Sequence, residues 1–438
     1  MKTLEKLRKN AFWTLDFLRG SRVRNHFNDI QQIVENYSSA ESTRRRADRL
    51  QSVLEHAATT TPYYNTARRF KDLGDFPVIN KNIIRDRFEE FRSGPYRAKR
   101  FFTAVTSGST GTPFRIYQDE NKKCRNTADT LYFLKRAGFE LGSPLVYLKV
   151  WNEINRKPGL QSWIWNIQAH DVTHMSDEAI ASLIGAMERD GSTKGMLGYA
   201  SAYEAICRYL DQHPSKPLDC RVRSIIAMSE SLNEYVKTSM AKYFSAPVVS
   251  RYSNLENGIL AQQCHENGNE FHINGASYAV ELLDFDKDVP VQSGMPGRIV
   301  ITDLFNYAMP MIRYDTGDIG IFSEEAKCSL KTPVFTRVEG RRVDSIYDTR
   351  GVLLSPHMVT NNMWKYGELK QYQFIQSGPR DYMFKLNAGP EFNREEQLIR
   401  EFRGYLGEDA AIRIEYVDEI PLLASGKRKK VLSTWTSR

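Results

Sequence analysis

"TSGSTGTP", residues 106–113, lies between two β-favouring runs, FFTAV before it and PFRIY after it. These flanks predict a strand, a loop and a second strand that pair as a hairpin. A Walker phosphate loop instead ends in Gly-Lys-Ser or Gly-Lys-Thr and opens a helix, and this loop has no lysine. Its two glycines allow close backbone approach to a ligand, and its hydroxyl side chains add donors, which suits polyphosphate. A solvated turn is the alternative that the loop alone leaves open.

Length and composition describe a globular protein with more than one structural unit. The chain has 438 residues, of which 41% are hydrophobic and 26% charged. This length exceeds what one compact core accommodates and predicts two or three units. Lysine and arginine exceed aspartate and glutamate by 61 − 53, a net charge of +8. The charges are scattered rather than grouped, so they predict a solvated surface and no nucleic-acid partner.

Cysteine usage and the first residues bear on the compartment. Five cysteines occur without a CxxC pair, namely Cys124, Cys207, Cys220, Cys264 and Cys328. A small and odd number of cysteines in so long a chain argues against a disulfide framework and predicts a cytoplasmic protein. In MKTLEKLRKNAFWTLDFLRG, Asp16 interrupts the apolar patch and no cleavage site follows, so we predict neither a signal peptide nor a transmembrane segment. A basic amphipathic first helix lying on a membrane surface is the alternative left open.

The order of periodic segments predicts an α/β fold with two domains. Residues 1–95 have apolar positions at helical spacing, and Pro62 ends one of these helices. From 101 to 335, runs such as VYLKV, SIIAM and GRIVITD alternate with helical segments, which predicts largely parallel pairing. After Gly340 the pattern of apolar residues predicts a strand, a second strand, a helix and a third strand. We predict a large N-terminal domain of mixed α/β sheets, 1–339, and a small α+β C-terminal domain, 340–438.

Five further stretches follow the loop along the chain. They are AMSESL at 227–232, RYSNLENG at 251–258, RYDTGDIG at 313–320, VEGRRVDS at 338–345 and LLASGKRKK at 422–430. With the loop, they resemble in order the motifs of the adenylate-forming enzymes, which include acyl-CoA synthetases and adenylation domains. HAATTTPYYN and FPVINKNIIRDRF resemble the phenylacetate-CoA ligase-like branch, which contains CapK-like capsular-polysaccharide biosynthesis proteins. The resemblance implies an acyl-CoA synthetase-like fold.

The resemblance also implies a role for each matched residue. The residues near the phosphates of ATP are Thr106, Ser107, Gly108, Ser109, Thr110 and Gly111. Those around the rest of the nucleotide are Ser229, Glu230, Tyr252, Ser253, Asp318 and Arg341, with Asp318 on the ribose hydroxyls. Glu256 is the implied catalytic carboxylate and Mg²⁺ ligand, since this cation prefers oxygen. Lys427 is the implied catalytic lysine, and because it belongs to the small domain, that domain has to close over the nucleotide.

Two positions depart from the family pattern. Ser253 stands where glycine is usual in the Tyr-Gly-x-x-Glu motif. Val343 replaces the first aspartate of the hinge motif and leaves Asp344 alone. The identity of the hinge residue therefore stays open.

The resemblance implies ATP-dependent conversion of a carboxylic acid to acyl-AMP, with transfer to an acceptor such as CoA, an amine or a sugar. Surface-polysaccharide biosynthesis and aryl-acid metabolism are the settings to which the branch points. ATP and Mg²⁺ are the expected cofactors, with CoA left open. The acyl group is expected beside residues 150–166 and 197–204, which are rich in aromatic side chains. AMP transfer onto a hydroxyl, and a non-catalytic binding protein, are the alternatives.

Cys264, His272 and Cys328 form a second constellation. In some phenylacetate-CoA ligase-like proteins, a zinc site joins a Cys and a His after the Glu motif to a Cys-x-Cys pair after the Gly-Asp motif. Here Leu330 holds the second Cys position, and only His265 is a spare ligand. Because structural zinc takes four ligands, the sequence favours ordinary residues over zinc.

Overall fold

A computed structural model describes residues 3–106, 114–151, 159–172, 175–213, 218–264, 266, 269–323, 326–339, 346–351, 353–354, 357–363, 365–421 and 429–435. The helices are α1 Thr3–Leu18, α2 Arg22–Glu35, α3 Ala40–Thr60, α4 Lys81–Asp86, α5 Glu120–Arg136, α6 Gly159–Trp165, α7 Asp177–Asp190, α8 Ala200–Gln212, α9 Glu234–Phe244, α10 His357–Met363 and α11 Glu395–Leu406. The strands before residue 340 are β1 Phe102–Thr106, β2 Phe114–Gln118, β3 Leu145–Lys149, β4 Ile167–Asp171, β5 Lys194–Tyr199, β6 Val222–Met228, β7 Val248–Asn254, β8 Gly258–Gln263, β9 Phe271–Ile273, β10 Tyr278–Leu283, β11 Pro296–Asp303, β12 Tyr314–Ser323 and β13 Val334–Glu339. Those after it are β14 Ile346–Tyr347, β15 Leu353–Leu354, β16 Leu369–Gln376, β17 Asp381–Ala388, β18 Ala411–Tyr416 and β19 Val431–Ser433.

Eleven of the described strands form one mixed sheet in the order β10-β11-β12-β13-β9-β8-β7-β6-β5-β3-β4. Pairing is parallel from β7 to β4 and antiparallel from β10 to β7. The prediction of largely parallel pairing is therefore wrong for the second half of the sheet. Helices α6, α7, α8 and α9 lie in the crossovers that parallel neighbours need, whereas no described helix separates the strands from β7 to β13.

The N-terminal helices pack on this sheet as the apolar spacing predicts. Ser39 caps α3 by accepting a hydrogen bond from the backbone N–H of Ser42. The helix ends at Thr60, because Pro62 follows and begins a short 3₁₀ turn, which confirms the predicted stop. Val53 and Leu54 are buried in the core that also holds Tyr314 of β12.

The hairpin predicted around the Ser/Thr/Gly loop is confirmed. Strands β1 and β2 pair antiparallel, with Thr106 opposite Phe114. The loop of residues 107–113 lies outside the described residues, but its two ends are held side by side by this register. Phe114 and Ile116 are buried in the core with α3, which anchors the hairpin to the body of the N-terminal part.

The C-terminal part has its own sheet, in the order β18-β17-β16-β19. The predicted succession of strand, strand, helix and strand is confirmed as β16, β17, α11 and β18. Its core contains Phe374, Phe384 and Phe402, whose rings stack and meet edge to face. Residues 340–345 lie outside the described part, so the boundary after Glu339 stays a prediction. No helix among the described residues is long and apolar enough to cross a membrane.

Two neighbouring polar contacts join the two parts. Glu204 on α8 accepts from Lys430 beside β19, and Arg208, one turn further along α8, donates to the carbonyl of Leu369 at 2.7 Å. Burial opposes the charge on Glu204, but Lys430 and Arg208 outweigh it and lower the pKa of this carboxyl. The contact should therefore persist at neutral pH and weaken only in acid, as the carboxylate is protonated.

We expect Glu204→Ala to loosen the C-terminal part, because Lys430 and Arg208 lose their shared carboxylate. Amide hydrogen exchange at β19 should accelerate by about fivefold or more, which corresponds to about 1 kcal/mol or more for an ion pair whose side chains are 13% and 27% exposed. The matched control is Glu415→Ala, which breaks an exposed pair with Lys385 inside the C-terminal sheet at 3.3 Å. Equal acceleration in both variants would show that Glu204 does not hold the two parts together.

Candidate functional site

Tyr252 and Asp318 meet across the sheet. The Tyr252 hydroxyl donates to Oδ2 of Asp318 at 2.7 Å and lies 3.2 Å from the Thr316 hydroxyl. Burial, and then the charge of Asp318, raise the pKa of Tyr252 well above its ordinary value, so the phenol stays a donor. Gly317 has a φ of 78°, a left-handed conformation that favours glycine, and it turns the backbone just before Asp318. The Asp318 carboxylate is thus fixed in orientation at the position where ribose is expected.

Glu256 lies in the same region and is only 2% exposed. Its Oε1 accepts from the Tyr314 hydroxyl at 2.8 Å and pairs with Nζ of Lys81 at 2.7 Å. Burial and the Glu256 charge raise the pKa of Tyr314 well above its ordinary value, so this phenol also remains a donor. The cation compensates a carboxylate that burial would otherwise penalise. This oxygen-rich, acidic position fits the hard-ligand chemistry of Mg²⁺.

Sequence reasoning missed Lys81 as a site residue. Asn80 caps α4 by accepting from the N–H groups of Asn82 and Ile83, which puts Lys81 at the first residue of the helix. Ile79 forms a parallel bridge with Tyr314, and so brings Lys81 to Glu256. The only local signal was the stretch FPVINKNIIRDRF, which the resemblance already singled out.

The AMSESL stretch ends strand β6 with a strained residue. Ser229 has a φ of 68°, in the region that non-glycine residues rarely adopt, and it turns the chain out of the strand. Glu230 follows, and its Oε2 accepts from the backbone N–H of Ser201 at 2.8 Å. Ser201 lies in the first turn of α8, so this carboxylate caps a helix N-terminus, where negative charge is favoured.

Of the other site residues predicted from the sequence, some are described by the structure and the rest are not. Ser253 lies in β7, opposite Ile259, without a positive φ, so serine fits this position without backbone strain. Thr106 ends β1. The rest lie outside the described residues, namely Ser107, Gly108, Ser109, Thr110, Gly111, Arg341 and Lys427.

Arg251, next to Tyr252, is a second residue that sequence reasoning missed. Its side chain is buried, its Nε donates to Gln262 at 2.9 Å, and its buried Nη2 has no hydrogen-bond partner in the part of the chain that the structure describes. Burial lowers the pKa of Arg251 to about 10, and the tyrosines that affect this pKa, Tyr147 and Tyr203, supply no permanent charge. A guanidinium without a carboxylate among the described residues is costly to bury, which makes Arg251 a candidate partner for an anionic group.

Cys264, His272 and Cys328 come together near the paired strands β9 and β13. Their ligand atoms all lie within 4.8 Å of one another, and all three residues are buried. The Cys328 sulfur is 3.1 Å from Nε2 of His272, and Nδ1 of His272 is 2.7 Å from the Thr332 hydroxyl, which orients the ring. Burial lowers the pKa of His272 to about 4, so the imidazole is neutral and competent to bind a metal at neutral pH. The geometry therefore supports zinc more strongly than the spacing did, with His265 outside the described residues.

Known proteins resemble this chain in one segment and in fold. Residues 346–434 match the family model described as the CapK C-terminal domain. Phenylacetate-coenzyme A ligase of Thermus thermophilus is 32% identical over 100 residues, which are 23% of this chain and 22% of the relative. The match thus spans about a fifth of that relative's length.

Solved structures of two CoA ligases align with most of this chain. 2-Hydroxyisobutyryl-CoA ligase in the postadenylation state, in complex with R3-HIB-AMP, aligns over 92% of this chain and 91% of its own, with a TM-score of 0.71 and 15% identity. The same ligase with 2-HIB-AMP and CoA, in its thioesterification state, covers the same shares with a TM-score of 0.61 and 16% identity. The anthranilate CoA ligase AuaEII in complex with anthranoyl-AMP aligns over 74% and 64%, with a TM-score of 0.54 and 15% identity.

We expect the purified protein to retain about one Zn²⁺ per chain after dialysis, measured by inductively coupled plasma mass spectrometry. Cys328→Ser should lose the metal, because it removes a thiolate ligand. The matched control is Cys124→Ser, a half-buried cysteine outside the cluster, which should keep it. If the wild-type protein contains no metal, or if Cys328→Ser leaves the metal content unchanged, the three residues are an ordinary buried cluster.

Proposed function

We propose that this chain, which has the fold of the adenylate-forming CoA ligases and carries a CapK C-terminal domain, activates a carboxylic acid as acyl-AMP with ATP. One observation carries the proposal. Two hydrogen bonds join residues of two distant motifs: Tyr252 donates to Asp318, and Tyr314 donates to Glu256. Two oriented carboxylates at one site suit a ribose and a phosphate-bound cation.

The proposed chemistry is an in-line displacement. A carboxylate oxygen of the acid attacks the α-phosphorus of ATP, the bond from that phosphorus to the bridging oxygen breaks, and pyrophosphate leaves. Asp318 would hold the ribose hydroxyls and so fix the position of the α-phosphate. Mg²⁺, when bound by Glu256, would neutralise phosphate charge. Lys427 would stabilise the charge that develops between the acid and the α-phosphate.

Lys81 has a supporting role in this scheme. Its ammonium is 2.7 Å from the carboxylate of Glu256, and its side chain is 27% exposed, so it faces both the buried carboxylate and the solvent side. We assign it to holding the Glu256 carboxylate in its orientation before the nucleotide binds. Its position beside Phe114, at the end of the loop hairpin, also puts a cation near the expected phosphates.

Transfer of the acyl group would follow adenylation. The arrangement of the two parts aligns better with the postadenylation state of 2-hydroxyisobutyryl-CoA ligase than with its thioesterification state, which supports an arrangement suited to the first step. Delivery to CoA, an amine or a sugar would then require the C-terminal part to rotate and Glu204 to release Lys430. The CapK domain favours surface-polysaccharide biosynthesis as the setting, and ATP use together with free cysteines favours the cytoplasm.

Arg251 limits the class of acid that the site would accept. Its Nη2 has no hydrogen-bond partner among the described residues, and Tyr203, which affects the pKa of Arg251, belongs to the stretch expected around the acyl group. A second negative group on the acid would supply the missing partner through charge-assisted hydrogen bonds. The proposed substrate therefore carries an anionic group besides the carboxylate that is activated.

The test is ATP–pyrophosphate exchange with Mg²⁺ and with pools of acids that carry one or two anionic groups. We expect exchange with the second class, a loss of at least about a hundredfold in Lys427→Ala, and about tenfold in Tyr252→Phe. Arg251→Gln should lower exchange selectively for acids with two anionic groups. Arg223→Gln, an exposed arginine on β6 that is 61% accessible, is the matched control.

Three outcomes count against parts of this proposal. Equal effects of Arg251→Gln on both classes of acid would remove Arg251 from substrate selection but leave adenylation standing. ATP binding without exchange in any pool would replace acid activation by AMP transfer onto a hydroxyl. Absence of ATP binding would make the chain a binding protein that has kept the fold.

A further inference from the structure

The turn between α1 and α2 exposes two large apolar side chains. Phe17 is 71% and Leu18 73% accessible to solvent. The turn is nevertheless firmly built, because the buried carboxylate of Asp16 accepts from the backbone N–H groups of Val23 and Arg24, both at 2.9 Å. Gly20 closes it with a φ of 87°. The exposure of Phe17 and Leu18 is therefore a fixed feature of the fold and not a frayed end.

The apolar surface continues along α1. Leu4 is 49% and Leu7 56% exposed, and both lie on the helix face that ends at Leu18, since these positions follow helical spacing. Four of the large apolar side chains exposed in the described part of the chain thus fall within one helix. Trp163 of α6, 39% exposed, adds an aromatic ring beside this helix, 5.3 Å from the Arg8 guanidinium.

The exposed charged residues of this stretch are basic. The two acidic residues between positions 3 and 24, Glu5 and Asp16, are 3% and 7% exposed. The basic residues in the same stretch are Lys6, Arg8, Lys9, Arg19, Arg22 and Arg24. Arg22 pairs with Glu120 at 2.7 Å, and Arg24 covers the Trp13 ring. Lys6 and Arg19 remain exposed beside the apolar side chains, so this face offers positive charge to its surroundings.

We propose that α1 and the turn after it form a membrane-docking surface for bilayers with anionic headgroups. Phe17 and Leu18 would enter the boundary between headgroups and acyl chains, while Lys6 and Arg19 contact the anionic groups. A second copy of this chain fits less well, because a symmetric contact would bring two sets of basic residues together. Docking requires no spanning segment, and it is independent of the reaction proposed above.

The experiment is co-sedimentation of the full chain with phosphatidylcholine vesicles, with and without phosphatidylglycerol. We expect binding to the anionic vesicles, weaker binding at high salt, and a loss of about tenfold or more when Phe17→Ser and Leu18→Ser are combined. Arg19→Glu should lower binding by about fivefold or more, because each basic residue near an anionic surface contributes about that factor.

Val289→Ser combined with Met295→Ser is the matched control, since these side chains are 52% and 55% exposed elsewhere on the surface. Thermal unfolding checks that each variant folds. If the variant with both Phe17→Ser and Leu18→Ser does not fold, Arg19→Glu alone tests the proposal. Equal binding to neutral vesicles, absence of binding, or equal loss in the control would overturn the proposal. Self-association that depends on Phe17 and Leu18, without vesicle binding, would put a second copy in place of the membrane.

Discussion

The hydrogen bond between Tyr252 and Asp318 imposes a shape on the whole N-terminal sheet. Tyr252 lies in β7 and Asp318 in β12, and strands β8, β9 and β13 separate them in the order of pairing. In a flat sheet, four strand spacings would hold the two backbones roughly 19 Å apart. A phenol-to-carboxylate distance of 2.7 Å is therefore available only because the antiparallel half of the sheet coils back on itself.

Register shifts help to produce this curvature. They occur between Tyr252 and Ser253 in β7, between Ile321 and Phe322 in β12, and between Arg298 and Val300 in β11. Bulges bend a strand and increase its local twist. The shift at Tyr252 falls on the motif residue itself, so the irregularity that bends the strand also aims the phenol at Asp318. Fold and site depend on the same departures from regular pairing.

Local patterns predicted what depends on neighbours in sequence. The hairpin around residues 107–113 followed from its β-favouring flanks, and the C-terminal succession of strands and helix from alternating and helical spacing. The sheet's antiparallel half was missed because strand direction depends on which distant strand becomes the partner. Lys81 was missed for the same reason, since only the bridge from Ile79 to Tyr314 places it at Glu256. The cluster of Cys264, His272 and Cys328 could be proposed from the sequence. The pairing of His272 with Val334 is what brings its members close together in space.

If the chain works as proposed, the contact between Glu204 and Lys430 would couple the reaction to a movement of the C-terminal part. Lys430 lies three residues after Lys427 in the chain, so holding Lys430 restricts how far Lys427 can move, because consecutive Cα atoms are about 3.8 Å apart. The side chains of this ion pair are 13% and 27% exposed, and its net contribution is small because desolvation offsets the Coulomb attraction, so it favours one arrangement without preventing another. Such a balance suits a lysine that is needed in one step and must leave before the next.

The most direct test follows an oxygen atom. The acid is supplied with ¹⁸O in its carboxylate, together with ATP and Mg²⁺, and the AMP released is examined by mass spectrometry. If the carboxylate attacks the α-phosphorus and the acyl group later leaves through its carbonyl carbon, AMP gains one labelled oxygen from the acid. Unlabelled AMP, formed at the same rate with and without the acid, would contradict acid activation at this site.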